Sequence, residues 1–198
     1  MTSAGAPTRP DLVSARRGAG ARWWPAAAVL GVVLVVTVGA QVVERALVGG
    51  AEAIVAIEGV LTLHPAPGWR EEPLLRVDDG ALHRRVVVRG AAALAIQVIE
   101  GVGGTPDALA ARYADPELRE RFVQLRVSRV EPALVAGVPG VRFGYVGVTR
   151  DRATIEGVVT AIVAPSGTAV IFEAFAPEGG LAGVAGELGA MIDGAVVR

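Results

Sequence analysis

Cysteine, lysine and asparagine are absent from the 198 residues, and histidine occurs twice. Without cysteine the chain forms no disulfide and no thiolate metal site, and it cannot carry a lipoprotein's lipid, so burial alone must hold any folded domain together. All 19 basic residues are arginine, while Ala, Val and Gly abound, the bias of a GC-rich genome. Chemistry-bearing groups are as scarce. His64 and His83 are the only side chains with an ordinary pKa near neutrality, and neither stands in an H-x-H or H-E-x-x-H spacing. A metal set could be composed only from His64, His83, Asp78 and Asp79; the plainer reading puts His64 at a strand end and His83 on a solvated strand face.

Nucleophiles are no more plentiful. After residue 43 the only serines are Ser128, which alternates with Arg126 on an expected strand, and Ser166, in a hairpin turn and not a G-x-S-x-G elbow. Glu156 and Glu173 share a face of the last hairpin if Pro165 pairs with Thr168. They then lie roughly 13 Å apart, too far for a glycosidase pair. No P-loop, dinucleotide fingerprint or EF-hand loop occurs, and Gly101-Val102-Gly103-Gly104 lacks the rest of the Rossmann pattern. We expect no catalytic residue, no cofactor and no metal ligand.

What the chain does have is one long apolar run. Trp23 to Val43 contains 21 uncharged residues, which reach roughly 31 Å as a helix, close to the hydrocarbon thickness of a bilayer. Arg9, Arg16, Arg17 and Arg22 against Asp11 give the preceding arm a charge of +3. Positive flanks stay inside, so residues 1–22 read as a cytoplasmic tail, 23–43 as a transmembrane helix, 44–53 as a tether marked by Gly49-Gly50, and 54–198 as an extracytoplasmic domain. Trp23 and Trp24 suit the inner headgroup layer, and Pro25 the first helical turn. The competing reading is a secretory signal cleaved after Val38-Gly39-Ala40, before Gln41. The apolar run is longer than a usual signal core, which favours the retained anchor. Residues 44–198 carry a net charge of −4, and such a domain has no concentrated basic face for nucleic acid.

Within the domain, a strand is expected from Ile57 to His64, closed by Pro65-Ala66-Pro67-Gly68, with Trp69 folding back over the core's edge. Asp78-Asp79-Gly80 is a turn signal, and Leu82–Val88 and Ala92–Ile99 form a hairpin with one dry and one wet side. Thr105-Pro106-Asp107 and Asp115-Pro116-Glu117 each start a helix, giving two short helices or one kinked one, with Leu109, Tyr113, Leu118, Phe122 and Leu125 buried. Strands follow at 123–130, 133–135, 140–148, 154–164 and 168–176. A last helix from Pro177-Glu178 carries Leu181, Val184, Ala185, Leu188 and Ile192 at helical spacing, weakened by glycines.

Leu63-His64-Pro65-Ala66-Pro67-Gly68-Trp69 resembles the strand-Pro-x-Gly-Trp opening of domains with the PsbP-like fold. The stretch from Ile155 to Val197 resembles their closing hairpin and helix. That superfamily includes a photosystem II extrinsic protein, a Ran-binding nuclear-import factor and cell-envelope proteins of actinobacteria. The resemblance implies an α+β domain, an antiparallel sheet flanked by helices, in a membrane-anchored actinobacterial envelope protein that binds and does not catalyse; it carries over no functional residue. The expected role is therefore an accessory one on the cell membrane, with the bilayer held through Trp23 to Val43 and an envelope or membrane protein as partner. Two alternatives stand beside it: a carrier or sensor for a small amphiphile or lipid, and an envelope hydrolase. Arg84, Arg85 and Arg89, with Arg70 and Arg76 near in sequence, compose a candidate anion or partner patch. Arginine is also the chain's sole cation and must supply all surface positive charge.

Overall fold

A computed structural model describes residues 54–57 and 59–198. The expected tail, transmembrane helix, tether and cleavage position before Gln41 lie outside the described residues. No helix among those described is long and apolar enough to cross a membrane.

The expected strand from Ile57 to His64 is instead a small hairpin. Gly59, at φ 76°, reverses the chain between β1 (Val55–Ile57) and β2 (Leu61–Leu63); a positive φ is a conformation glycine adopts without the Cβ penalty. Then come β3 (Arg70–Glu71), a 3₁₀ turn at Pro73–Leu75, β4 (Val77–Asp79), β5 (Leu82–Arg89) and β6 (Ala92–Ile99). Asp78 and Asp79 are themselves strand residues, and Gly80 at φ 55° makes the turn into β5.

Helix α1 (Pro106–Arg112) starts as the sequence predicts: Thr105 Oγ1 accepts from the Ala108 amide and Pro106 occupies the first turn. It does not stop at the second proline. The chain continues through a π-helical segment, Tyr113–Leu118, which contains Pro116, into a single turn α2 (Arg119–Arg121). Proline has no N–H to donate, and a wider turn absorbs the missing bond without ending the helix. The remaining elements are β7 (Gln124–Val127), β8 (Glu131–Val135), β9 (Val138–Val148), β10 (Thr154–Val163), β11 (Ala169–Pro177), α3 (Ala185–Asp193) and β12 (Val196–Val197). The last helix begins eight residues later than expected, because Gly179 and Gly180 extend the preceding turn.

The main sheet runs β3-β5-β6-β11-β10-β9-β7, antiparallel throughout, with β4 also on β5 and β8 also on β9. β7 and β8 sit end to end along one side of β9. At their junction the Ser128 amide donates to Gly144 O, and Ser128 Oγ accepts from the Gly144 amide. A second sheet, β1-β2-β12, joins the two ends of the domain.

Both faces of the main sheet are dry at its centre, where one wet side was expected. On the first, Leu109, Ala110, Tyr113, Leu118 and Phe122 pack on Val86, Ala95, Phe143, Val159 and Ile171. On the second, Leu188, Met191 and Ile192 of α3, with Leu61 and Leu63 of the small sheet, pack on Leu94, Ile96, Val170 and Phe172. The physical reason is already visible in β6, AALAIQVI, buried at seven of its eight positions. Its alternate residues Ala93 and Ala95 serve a second core, and a strand covered on both sides has no polar face to show.

The closing hairpin is also shifted from its expected pairing. Val163 pairs with Ala169 and the Ala164 amide donates to Thr168 O, so the loop is Pro165-Ser166-Gly167 with Gly167 at φ 80°. A shift of one residue exchanges the faces of a strand. Glu173 lies opposite Val159, on the face covered by α1 and the π-helical segment, and Glu156 lies on the face covered by α3.

Candidate functional site

Glu173, midway along β11, is 0% exposed and sits among apolar residues. Such a carboxylate survives burial only when its oxygens are bonded and its charge is met. Four donors do this. Tyr113 OH donates to Oε2 at 2.6 Å and Tyr145 OH to Oε1 at 2.6 Å. Arg121 Nη2 donates to Oε1 at 2.7 Å and Nη1 to Oε2 at 3.2 Å, a two-pronged pair.

Each donor arrives for a local reason. Tyr113 opens the π-helical segment and Arg121 closes α2, so the helical stretch that roofs this face supplies both. Tyr145 comes from β9, two strands from β11, and reaches across Gly157 of β10. A Cβ at Gly157 would lie 2.4 Å from the tyrosine Cζ, so only glycine lets the ring lie flat there. Gly147 makes the same room for Phe122, whose ring stands 5.6 Å from that of Tyr145 and has the Arg121 guanidinium over it at 5.6 Å from the ring centre.

The electrostatics agree with the geometry. Burial opposes the Glu173 charge, but Arg121 and the hydrogen bonds outweigh it and hold the carboxyl below its ordinary range. Burial, then the Glu173 charge, pushes both tyrosine hydroxyls well up, so they stay protonated and donating. Burial also works against the Arg121 charge, and Glu173 overrides it.

The cluster extends to Arg84. Gln97 Nε2 reaches Tyr113 OH at 3.4 Å, and Gln97 pairs across the strands with Arg84 of β5. Arg84 is 4% exposed, and its Nε is buried without an acceptor; Arg121 Nε is likewise unbonded. Glu117, from the π segment, feels both arginines, and burial pushes its carboxyl up.

The three arginines of the expected patch are divided. Arg84 and Arg85 are neighbours on one strand and point to opposite faces. Arg85, also 4% exposed, donates through Nη1 to Asp78 Oδ1 (2.9 Å), Val77 O (3.3 Å) and Arg84 O (2.8 Å), with Glu71 3.7 Å from its Nε. Arg89 is exposed and bonds Glu187 of α3, which also accepts from Trp69 Nε1 at 2.7 Å. Trp69 is thus folded against the core and tied to the last helix. Arg76 bonds Asp78 Oδ2 at 2.9 Å.

His64 and His83 are not brought together. His64 is exposed after β2, and His83 Nδ1 lies 2.9 Å from Asp78 Oδ1 at the far rim. Hydrogen bonds from His83, Arg85 and Arg76 hold the Asp78 carboxyl well below its ordinary range. No group of three or more metal-ligating side chains occurs among the described residues. Ser128 Oγ donates to Arg129 O, Ser166 Oγ to Thr168 Oγ1, and Glu156 Oε1 accepts the Leu181 amide at 2.8 Å. An open recess of about 280 Å³ beside Arg89 is lined by Ala92, Ala176, Pro177, Glu178 and Val184.

An antiparallel sheet covered by an irregular helix on one side and by a C-terminal helix on the other is the PsbP-like fold, as the resemblance implied. Solved structures agree at the level of fold. Cyanobacterial PsbP (CyanoP) from Synechocystis sp. PCC 6803 superposes with TM-score 0.54 at 12% identity, over 79% of this chain and 99% of that one. The Ran-binding protein Mog1p of Saccharomyces cerevisiae superposes with TM-score 0.52 at 13% identity, over 75% of this chain and 96% of that one. LpqN of Mycobacterium tuberculosis, involved in cell envelope biogenesis, overlaps more loosely, with TM-score 0.46 at 14% identity over 76% and 87%. The sequence matches no protein-family model and no curated protein.

Proposed function

We propose that this is a membrane-anchored accessory protein of an actinobacterial cell envelope, its domain outside the membrane, acting by binding and without catalysis of its own. The observation that carries the reading is where the reactive groups point. Ser128 and Ser166 hydroxyls are engaged in turn and junction hydrogen bonds, His83 is held by Asp78 beside Arg85, and Glu173 is neutralised within the core. Among the described residues neither serine hydroxyl meets an imidazole, the contact that a histidine-activated serine nucleophile would require. The uncharged run Trp23 to Val43 behind an arginine-rich arm supports anchoring with the N-terminus inside. Mog1p, described as Ran-binding, is a use of the same fold for recognition.

Fractionation of membranes from the producing cells tests both halves. The full chain is expected to stay with the membrane through an alkaline wash. After crosslinking it is expected to retain partners that a version lacking residues 54–198 loses. A mature chain that begins at Gln41 and leaves with the wash would end the anchored reading, and labelling of Ser128 or Ser166 by a serine-hydrolase probe would end the non-enzymatic one. The alternative of a small-amphiphile carrier draws support from the buried Arg84, whose Nε has no acceptor.

A further inference from the structure

Arg84 and Arg85 supply an internal comparison. Both are 4% exposed, on opposite faces of one strand. Arg85 bonds a carboxylate and two backbone carbonyls and has a second carboxylate close by. The Arg84 guanidinium has no hydrogen bond or ion pair among the described residues, and its Nε lacks an acceptor. A buried donor left unpaired costs about 1–3 kcal/mol, and native folds keep few of them. Here two occur in one cluster, because Arg121 Nε is the other.

Charge points the same way. The helix-covered face buries two guanidinium groups against one fully buried carboxylate, Glu173, and Arg121 takes both of that carboxylate's oxygens. Glu117 is the further acid facing both arginines, and burial disfavours its charged form. Among the described residues no carboxylate pairs with the Arg84 guanidinium as Glu173 pairs with Arg121. The roof over it is the π-helical segment with Pro116, a local geometry that recurs at functional sites.

We propose that Arg84 and Arg121 are the two arms of a buried oxyanion-binding site beneath the π-helical segment, with Gln97 across the strands from Arg84, which takes the carboxylate or phosphate end of a small molecule. Planar guanidinium groups match those two head groups better than they match halide. The site stands whether or not the domain is membrane-anchored or has a protein partner.

The test reads the two donors directly. In the full chain, labelled with ¹⁵N-arginine and held in a neutral detergent, the Nε–Hε resonances of Arg84 and Arg121 are followed while sodium phosphate, sodium acetate or sodium chloride is added at matched ionic strength. Both resonances are expected to shift saturably with phosphate, with acetate, or with each, and not with chloride. A response to phosphate alone names a phosphorylated head group, and one to acetate alone a carboxylate. Arg84→Lys keeps the charge and loses the Nε–H, so binding should weaken by about tenfold or more, while Arg126→Lys on the exposed β7 should leave it unchanged. Resonances that stay fixed, or that drift alike in all three salts, would overturn the proposal. So would equal binding in Arg84→Lys. If that variant does not fold, the wild-type spectra decide alone.

Discussion

Replacing Glu173 with glutamine keeps the side chain's shape and removes its charge. Two tyrosine hydroxyls and both prongs of Arg121 then converge on a group with one acceptor oxygen in place of two. The Arg121 guanidinium is left buried without its counter-charge, and one donor at least faces the new amide hydrogens. Removing one partner of a buried pair costs about 3–5 kcal/mol, a large part of the roughly 5–15 kcal/mol that holds a domain folded. With a urea slope near 2 kcal/mol/M, the unfolding midpoint of Glu173→Gln should fall by roughly 2 M. The pH dependence identifies the cause. Since the folded Glu173 carboxyl lies below its ordinary range, its contribution is fully present above the unfolded value of about 4.3 and is lost as pH falls through the lower folded value. Glutamine takes up no proton, so the wild type's advantage is greatest at neutral pH and shrinks in acid. Glu117, whose carboxyl is pushed up by burial and further by the Glu173 charge, contributes with the opposite sign, and less so in the variant that lacks that charge. Urea unfolding followed by circular dichroism from pH 7 to about pH 3 measures this. A loss below about 1 kcal/mol at neutral pH, or one that does not change with acid, would refute the claim that a charged pair holds this face together.

Two further substitutions probe the same framework. Gly157→Ala puts a methyl group against the Tyr145 ring, whose hydroxyl is pinned to Glu173, so the ring cannot move aside without breaking that bond; a loss of about 1–3 kcal/mol is expected in chemical denaturation, and Tyr145→Phe should soften it. Trp69→Phe removes the indole donor to Glu187 and part of a buried ring, with an expected loss of about 1–3 kcal/mol. In hydrogen exchange the released protection should concentrate in α3.

Much of this fold is legible in the residues. Thr105-Pro106 starts the first helix where the capping rules put it, and Leu109, Tyr113, Leu118 and Phe122 are buried as the helical spacing requires. The hairpin of β5 and β6 and the order of later strands also follow from turn residues and β-rich runs. What the sequence reading misses turns on small displacements. A two-residue loop at Ser166-Gly167 and a three-residue loop that includes Pro165 look alike in composition. Gly167 in a left-handed conformation selects the longer one, and the whole face containing Glu173 changes sides. The signal was present in β11 itself: AVIFEAFAP is apolar at both alternations, the mark of a strand covered twice, so its one acid had to be buried and paired. Arg121 and Tyr145 could not be found this way, because they meet Glu173 only through tertiary packing, Arg121 from the helical stretch and Tyr145 over Gly157.

The interrupted border along β9 has a consequence for how copies of the protein meet. An extended segment trying to add itself there would find β7 only four residues long, a kink at Ser128, and then Pro132, which offers no amide. Arg126 and Arg129 flank the kink in open water, so stripping their hydration would add to the cost. A nine-stranded sheet that ended in one smooth strand would invite templated stacking at high local density; this one ends in a broken, charged margin that turns a neighbour's backbone away.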